Sequence, residues 1–295
     1  MRELINAIVD WVYPPRCMSC RNLLPLQNKR GRGLWLCAYC EKLFLPLDGP
    51  GCKICSVPVK IRNRVVTKTL SPSLRAKRSN PEASERDESC WIASSLRSSQ
   101  RRAIKFRSNS NVGVICSSCS TKTFHFTHNR AAFAYEDLVR DLIRDIKFRR
   151  RKHVAQGLGR LWGGLIAENF PANAVLAPLP MHPKKRRMRG FDQAVELAAA
   201  LSAATGAALA PILERTKFTP PQSGLHPKQR AENVRGAFRI KPGVDVQGNT
   251  YILVDDIYTT GASLNECARI LKDGGAKDVS AMTLAIAIKN DEDVR

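Results

Sequence analysis

Two adjacent carboxylates, Asp255 and Asp256, follow a short apolar run and precede a stretch of small hydroxylic residues. The segment reads YILVDDIYTTGAS over residues 251–263. The β-branched run at residues 251–254 is typical of a strand buried on both faces, so we expect a strand that ends near Asp255. Acidic groups at that position would face whatever binds at the end of the strand.

The stretch after the carboxylates offers hydroxyls and free backbone N–H groups just before a helix. Its members are Thr259, Thr260, Gly261, Ala262 and Ser263. Residues 264–271 have the pattern of an amphipathic helix, and two glycines close it. Unpaired N–H groups and the positive end of a helix dipole converge at such a place, which predicts a phosphate site. A ribose 5-phosphate would fit, with its hydroxyls donating to Asp255 and Asp256. The alternative is an ordinary joint with solvated acids and a capping Thr or Ser.

Eight of the ten cysteines form four Cys-x-x-Cys pairs. The pairs are Cys17/Cys20, Cys37/Cys40, Cys52/Cys55 and Cys116/Cys119. Two pairs can present four thiolates to one tetrahedral ion, so the pattern predicts one or two structural zinc sites. Disulfides and redox chemistry are the competing uses. Residues 1–13 carry acids inside their apolar pattern, which predicts an amphipathic helix in place of a secretory signal, and a reduced, cytoplasmic compartment favours metal.

The length of 295 residues allows two units. We expect an N-terminal helix and zinc-ribbon cysteines at residues 1–59, a disordered, basic, Ser- and Arg-rich insertion at 60–112, the last cysteine pair and a linker at 113–129, and the larger domain at 130–295. The first two pairs have zinc-ribbon spacing. The insertion separates the third pair from the fourth, so a second zinc site either survives with a long loop or is broken.

The larger domain alternates strands with helices. Strand-like runs are found at residues 131–135, 175–180, 236–240, 251–255 and 279–288. This alternation predicts an α/β fold with a parallel sheet. Ligands of such sheets bind beyond the carboxyl ends of the strands, where Asp255 and a basic turn at residues 184–189 would both lie. From that turn we expect Lys185 and Arg189 to stabilise the charge of a leaving pyrophosphate, with Mg²⁺ assisting. The alternative is a solvated basic face.

The formal net charge is +22, and residues 60–112 contribute +9 of it through thirteen Lys/Arg and four Asp/Glu. The remaining +13 is strongly basic, which makes DNA a candidate partner for the basic residues at 147–152 and 184–189. A soluble basic surface is the alternative. Few aromatic residues lie among these basic residues, so no stacking platform for single strands is expected.

The longest small and apolar stretch, residues 194–213, contains Glu, Gly and Pro and predicts a helix and a turn, so no membrane span is expected.

Residues 251–263 resemble the phosphoribosyl pyrophosphate signature of type I phosphoribosyltransferases, with two acids followed by Thr-Thr-Gly, a small residue and Ser. Neither a P-loop nor a dinucleotide-binding glycine motif is present in the sequence. Together with residues 175–194, residues 215–238 and the cysteine pairs, the signature makes the chain similar to the ComF family of bacterial competence proteins, in which a cysteine-rich module precedes a phosphoribosyltransferase-like domain. The similarity covers residues 1–59 and 113–288, and the gap between the third and fourth cysteine pairs departs from the family pattern.

The resemblance implies Mg²⁺-bound phosphoribosyl pyrophosphate or a related phosphosugar as ligand, and a role in DNA uptake or nucleotide metabolism exercised in the cytoplasm. One form of that role is a pentosyl transferase in which a nucleophile displaces pyrophosphate at C1. The other is a non-catalytic DNA-binding or adaptor protein whose zinc module docks a helicase-like partner. By the same resemblance, residues 222–235 would be a mobile hood over the substrate, or else an ordered surface loop. His182 and His226 are expected to be structural or surface residues.

Overall fold

The computed structural model describes residues 16–24, 36–44, 46–47, 51–58, 114–167, 170–171, 173–219 and 227–288. The helix expected at residues 1–13 and the insertion expected at 60–112 lie outside these ranges. The domain boundaries stay predictions. None of the helices in the described ranges is long and apolar enough to cross a membrane.

A parallel five-stranded sheet forms the centre of the larger domain, with strand order β1-β7-β6-β2-β3. Its strands are β1 (Asn129–Ala134), β2 (Ala174–Pro178), β3 (Ala208–Leu209), β6 (Thr250–Tyr258) and β7 (Asp278–Ile286). The central strands are almost wholly buried, as expected for the β-branched run that was recognised in the sequence. The α/β fold with a parallel sheet is therefore confirmed.

Six helices of the same domain lie in the described ranges, and most of them pack against the sheet or against one another. They are α3 (Asp137–Phe148), α4 (Lys152–Ile166), α5 (Pro183–Arg189), α6 (Gln193–Thr205), α7 (Pro227–Val234) and α8 (Ala262–Asp273). Apolar residues of α3, α4 and α6 form one buried cluster with β6 and β7, and those of α8 form a second. Helices α4 and α6 approach very closely, because a Cβ at Gly163 would lie 2.4 Å from the Cβ of Ala204.

The cysteine-rich module contributes two short helices, α1 (Ala38–Leu43) and α2 (Ser117–Ser120). Each begins directly after a cysteine, which serves as its N-cap residue. The module packs onto the larger domain at several points. Phe44 meets Phe133 of β1 edge to face at 5.3 Å between ring centroids, and Leu47 N donates to Ala132 O at 2.8 Å. Residues of the module thus take part in both buried clusters of the larger domain.

Three expectations about the elements were wrong. Strand β6 does not end near Asp255 but continues to Tyr258, because its register with β7 persists to the pair Tyr258 and Ile286. The run at residues 236–240 supplies β5 (Phe238–Ile240), which pairs antiparallel with β4 (Leu213–Arg215) outside the main sheet. The basic turn at residues 184–189 is a helix, α5, which the Nδ1 of His182 caps by accepting a hydrogen bond from Lys184 N at 3.1 Å.

Candidate functional site

Asp255 and Asp256 lie inside β6, so their side chains point to opposite faces of the sheet. Asp256 is 4% exposed, and its Oδ2 forms an ion pair with the Nζ of Lys147 at 2.7 Å. Lys147 belongs to the last turn of α3. Burial alone would lower the pKa of Lys147, but the charge and hydrogen bond of Asp256 outweigh it, and the pKa is raised. Asp256 is therefore held by a protein cation.

Asp255 occupies a different environment on the opposite face. Burial and the neighbouring charge of Asp256 raise the pKa of Asp255 to about 8. Its Oδ1 accepts a hydrogen bond from Asp256 N at 2.8 Å. The charge of Asp255 also acts on Arg215 and Cys267, which belong to β4 and α8. Below about pH 8 this carboxyl is protonated, and it can both donate to and accept from a hydroxyl.

The loop after β6, residues 259–263, is called the phosphate loop below. Its backbone turns sharply at Gly261, where φ is +73°, and α8 begins at the next residue. Asn265 N donates to Gly261 O at 2.8 Å and closes the first turn. Thr260 Oγ1 accepts from Ala262 N at 3.4 Å. The structure thus places the predicted hydroxylic residues at the N-terminus of a twelve-residue helix, the geometry in which backbone N–H groups and the helix dipole attract a phosphate.

Three cations lie close to the two carboxylates. Burial lowers the pKa of Arg189, while the charges of Asp256 and Asp192 oppose that effect, so the guanidinium lies within electrostatic reach of Asp256. Burial and the positive charges of Arg215 and Arg189 lower the pKa of Lys185. Arg189 thus interacts with the charge of Asp256 and Arg215 with that of Asp255, whereas Lys185 interacts with these two arginines. The role of these cations in binding stays a prediction.

Arg215 is partly enclosed and has one free donor. Its Nη2 donates to Thr219 Oγ1, and its guanidinium carbon lies 5.1 Å from the centroid of the Phe238 ring. Its Nε has no hydrogen-bond partner among the described residues. A buried donor of this kind is costly unless something accepts from it, and an anionic ligand would supply an acceptor.

The ring of Phe218 lies beside the basic residues of α5, a contact that the sequence did not indicate. Phe218 is 48% exposed, and its ring centroid lies 4.9 Å from the Nζ of Lys184 and 5.7 Å from that of Lys185. The ring of His182 meets it edge to face at 5.1 Å. The expectation of few aromatic residues rested on sequence neighbours, and more than thirty positions separate Phe218 from Lys184 along the chain.

The eight paired cysteines form two clusters, and in each the four Sγ atoms lie within 4.8 Å of one another. The first centre contains Cys17, Cys20, Cys37 and Cys40, and the second centre contains Cys52, Cys55, Cys116 and Cys119. Sulfur atoms of different pairs are 3.6 Å apart in the first centre and 3.8 Å apart in the second. A tetrahedral site with Zn–S bonds of about 2.3 Å requires sulfur atoms about 3.8 Å apart. This spacing fits zinc and is far too long for disulfides.

Hydrogen bonds within each centre support thiolates. Cys37 N donates to Cys17 Sγ and Cys116 N donates to Cys52 Sγ, both at 3.3 Å. The hydrogen bond from Cys40, with backbone donors, lowers the pKa of Cys17 to about 4 in spite of burial, whereas burial raises the pKa of Cys20 to about 11, so the protein groups alone stabilise the Cys17 thiolate and not that of Cys20. The structure also decides between the two alternatives for the second centre. Its two pairs come together across a separation of 61 positions, so the centre survives with a long connection.

Sequence reasoning missed two of the residues around the carboxylates. Lys147 was treated as a DNA-attracting cation, but it is occupied by Asp256. A signal was present, because Lys147 stands four residues after the buried Ile143 and so on the apolar face of α3. Arg215 carried no comparable signal. Its position follows from the β4–β5 pairing, which local patterns do not reveal.

The expected hood, residues 222–235, is described from residue 227 onward, and His226 lies outside the described residues. The described part is α7, whose last residue Val234 is buried. Just beyond it, Gly236 N donates to Glu266 Oε1 of α8 at 2.9 Å. The C-terminal end of this segment is therefore anchored on the helix that begins at the phosphate loop, and its role as a hood stays a prediction.

Two family models match the chain. The double zinc ribbon domain matches residues 8–70, and the phosphoribosyl transferase domain matches residues 188–294. The first match includes six of the eight paired cysteines and stops before the fourth pair. The second contains the last two residues of α5, the carboxylates and the phosphate loop.

Curated relatives carry names connected with DNA. The DNA utilization protein YhgH of Escherichia coli strain K12 is 31% identical over 152 residues, which cover 48% of this chain and 65% of that protein. The competence protein ComFC of Bacillus subtilis strain 168 is 26% identical over 194 residues, covering 59% and 73%. Competence protein F of Haemophilus influenzae is 33% identical over 118 residues, covering 38% and 50%. The chain thus aligns with less than two thirds of the length of its YhgH relatives.

Solved structures with a similar fold include an allosteric regulatory enzyme of purine biosynthesis, at 22% identity and a TM-score of 0.32, covering 44% of this chain and 26% of that one. A hypoxanthine phosphoribosyltransferase from Staphylococcus aureus is 13% identical with a TM-score of 0.29, covering 48% and 70%.

Proposed function

We propose that the chain, which resembles the ComF family in joining a zinc ribbon to a phosphoribosyltransferase domain, binds the Mg²⁺ complex of phosphoribosyl pyrophosphate, or a related ribose 5-phosphate, and acts in DNA uptake. The observation that carries the proposal is the meeting of three groups at the carboxyl end of β6. These groups are the Asp255/Asp256 pair, the phosphate loop and the cations Lys185, Arg189 and Arg215.

The assignment of each ligand group follows from its charge. The 5-phosphate belongs in the phosphate loop, where N–H groups and the dipole of α8 attract it. Ribose hydroxyls donate to the carboxylates of β6. The pyrophosphate, with Mg²⁺ bound to its oxygens, belongs against Lys185, Arg189 and the free Nε of Arg215. If the protein is catalytic, a nucleophile bonds to C1 as the bond from C1 to the pyrophosphate oxygen breaks, and the same cations stabilise the departing charge.

Calorimetry on the full zinc-loaded chain tests the proposal. Phosphoribosyl pyrophosphate with Mg²⁺ is titrated into the wild type, the Asp255→Asn/Asp256→Asn variant and the Thr260→Val variant. The Thr260 change leaves the ion pair of Asp256 intact and so separates loss of the site from loss of the fold. We expect saturable binding that weakens at least about tenfold in both variants, which corresponds to about 1.4 kcal/mol. Asp245→Asn, at an exposed turn, is the matched control.

Titrations with ribose 5-phosphate and with pyrophosphate then separate the two halves of the site. Ribose 5-phosphate should be sensitive to Thr260→Val and insensitive to Lys185→Ala, and pyrophosphate should show the reverse. A wild-type protein that is folded and zinc-loaded but binds none of the three compounds would contradict the proposal. Release of pyrophosphate that requires an added acceptor would extend it from binding to pentosyl transfer.

A second candidate function, handling of single-stranded DNA, is favoured by the environment of Phe218. An exposed ring flanked by Lys184 and Lys185 offers a stacking surface beside phosphate-binding charges. Binding of an oligothymidylate, followed by fluorescence anisotropy over a salt series, should weaken severalfold in Phe218→Ala and recover in Phe218→Trp. Tyr39→Ala is the control, since Tyr39 is 60% exposed and lies in α1, outside both basic stretches. Equal affinities for the two alanine variants would refute the stacking role. A zinc module that docks a helicase-like partner belongs to this second function and is likewise a proposal.

A further inference from the structure

The second centre lies directly against the phosphate loop. Tyr258, the last residue of β6, is buried in the same apolar cluster as all four cysteines of this centre. A cavity of about 80 Å³ is lined on one side by Cys55, Cys116 and Cys119 and on the other by Tyr258 to Thr260. The metal-binding module and the loop are therefore separated by little more than one aromatic ring.

Tyr258 supports the turn of the loop from below. A Cβ at Gly261 would lie 2.6 Å from the Tyr258 Oη and 2.9 Å from its Cζ, and no real side chain could approach so closely. The backbone of Gly261 thus rests on the phenol ring. The Tyr258 carbonyl is in turn fixed by Ala287 N at 2.9 Å. Movement of the ring would remove the surface on which the loop turns.

A second connection joins the module to the other end of the loop. Asn265, in the first turn of α8, accepts a hydrogen bond from His125 N at 2.6 Å through its Oδ1. Its Nδ2 donates to Thr123 O at 3.2 Å. Both partners belong to the chain that leaves the second centre after Cys119. The side chain of Asn265 therefore joins the metal-binding module to α8, the helix whose N-terminus lies at the phosphate loop.

The first centre has a different neighbourhood. Three of its cysteines, Cys17, Cys37 and Cys40, belong to the other buried cluster, together with residues of α3, α4 and α6, and Cys20 is exposed. Met18, beside Cys17, approaches α4, where its Sδ would lie 3.1 Å from a Cβ at Gly157. The two centres therefore offer a matched comparison, since they have the same ligand chemistry and only the second borders the loop.

We propose that metal in the second centre holds the phosphate loop in its binding conformation, with Tyr258 and Asn265 as the positioning residues that transmit the effect. Zinc draws four thiolates to one point and fixes the two knuckles that carry them. Without that constraint, the two knuckles are no longer fixed to each other beside the Tyr258 ring and the Asn265 side chain, and support for the loop weakens on both sides. The part of the inference that concerns ligand affinity rests on the proposed function, whereas the part that concerns loop order does not.

Hydrogen exchange of the loop tests the inference without any ligand. Cys116→Ser/Cys119→Ser and Cys17→Ser/Cys20→Ser should each retain one zinc ion per chain, as measured by metal analysis. Amides of residues 258–265 should exchange at least about tenfold faster in the second-centre variant and at the wild-type rate in the first-centre variant. Equal exchange rates in the two variants would overturn the inference.

Variants that keep every cysteine test the inference even if the serine variants fail to fold. Asn265→Ala removes the two hydrogen bonds to residues 123 and 125, and Tyr258→Ala removes the aromatic ring, while both zinc ions stay bound. Each should accelerate exchange of the loop, and Tyr258→Phe, which retains the ring, should restore protection that the alanine variant loses. Asn249→Ala, at an exposed turn far along the chain from the centre, is the control. Loop protection that is unchanged in both Asn265→Ala and Tyr258→Ala would contradict the inference even if the serine variants did not fold.

Calorimetry of ribose 5-phosphate binding to the same proteins tests whether the second centre also affects ligand affinity. If the wild type binds it and the second-centre variant binds at least about tenfold more weakly than the first-centre variant, the coupling extends to the site. If affinities of the two variants are equal, the functional part of the inference fails. If the wild type does not bind at all, the proposed function fails, and the exchange rates alone decide whether the second centre positions the loop.

Discussion

Replacing Asp255 by Asn should change how the free energy of unfolding depends on pH. Burial and the charge of Asp256 raise the pKa of Asp255 from 3.8 to about 8 in the folded protein. Between these values the folded state holds a proton that the unfolded state lacks, so the stability falls as the pH rises. For one group with these two pKa values, the loss between about pH 6 and pH 8 amounts to about 2 kcal/mol. An asparagine is neutral throughout and shows no such loss.

The assay is urea unfolding of the full zinc-loaded protein at several pH values, comparing the wild type with Asp255→Asn. The difference between the two proteins is the informative quantity, because the ionisation of cysteines and of other groups is common to both. We expect the variant to gain about 2 kcal/mol relative to the wild type between about pH 6 and pH 8. Asp245→Asn, with an exposed carboxylate, should show no such gain. A difference for Asp255→Asn that stays constant across this range would refute the argument that the carboxyl of Asp255 in β6 is neutral in the folded protein.

Other predictions concern the ion pair, the loop and the metal. In thermal melts, Lys147→Met should destabilise the protein by about 3–5 kcal/mol, because it leaves the carboxylate of Asp256 buried and unpaired. The control Lys152→Met breaks a pair whose lysine is 52% exposed and should lower the stability by about 1 kcal/mol or less. Gly261→Ala should abolish binding of ribose 5-phosphate because its methyl group would overlap Tyr258, whereas Gly206→Ala shares the positive φ, has open space around it and should lose only about 1–2 kcal/mol of stability. Metal analysis of the purified chain should give two zinc ions, and a value of one would contradict the assembly of the second centre.

The sequence predicted those parts of the site that depend on neighbours along the chain. The order of strand, hydroxylic loop and helix around Gly261 follows from local residue types, because turns and helix starts are built from a few consecutive residues. The cysteine pairs were also recognisable, since each Cys-x-x-Cys pair is itself a local unit. Fold class followed from the alternation of strands and helices, because that alternation leaves few ways of covering a sheet.

Features that depend on distant pairing were not predictable in the same way. No local pattern around Asp256 predicts its ion pair with Lys147, which belongs to another element more than one hundred positions away. The end of β6 was placed too early because acidic residues usually leave a strand, whereas here the cation and the register with β7 keep them within it. Phe218 joins the lysines of α5 only through the path of β4 and the chain after it. Each of these depends on tertiary contacts, which override local propensity.

The second centre also reduces the part that the chain between Cys55 and Cys116 plays in holding the two knuckles together. A metal that joins residues 61 positions apart acts as a cross-link, and the entropy of closing a loop grows only with the logarithm of its length. Lengthening such a connection from ten to sixty residues costs about 1.6 kcal/mol, which is small beside the roughly 10 kcal/mol or more that a structural zinc site contributes. Evolution can therefore insert sequence between Cys55 and Cys116 at little thermodynamic cost. A protease cut between them would leave two polypeptides that zinc, in place of the peptide backbone, keeps as one folded protein.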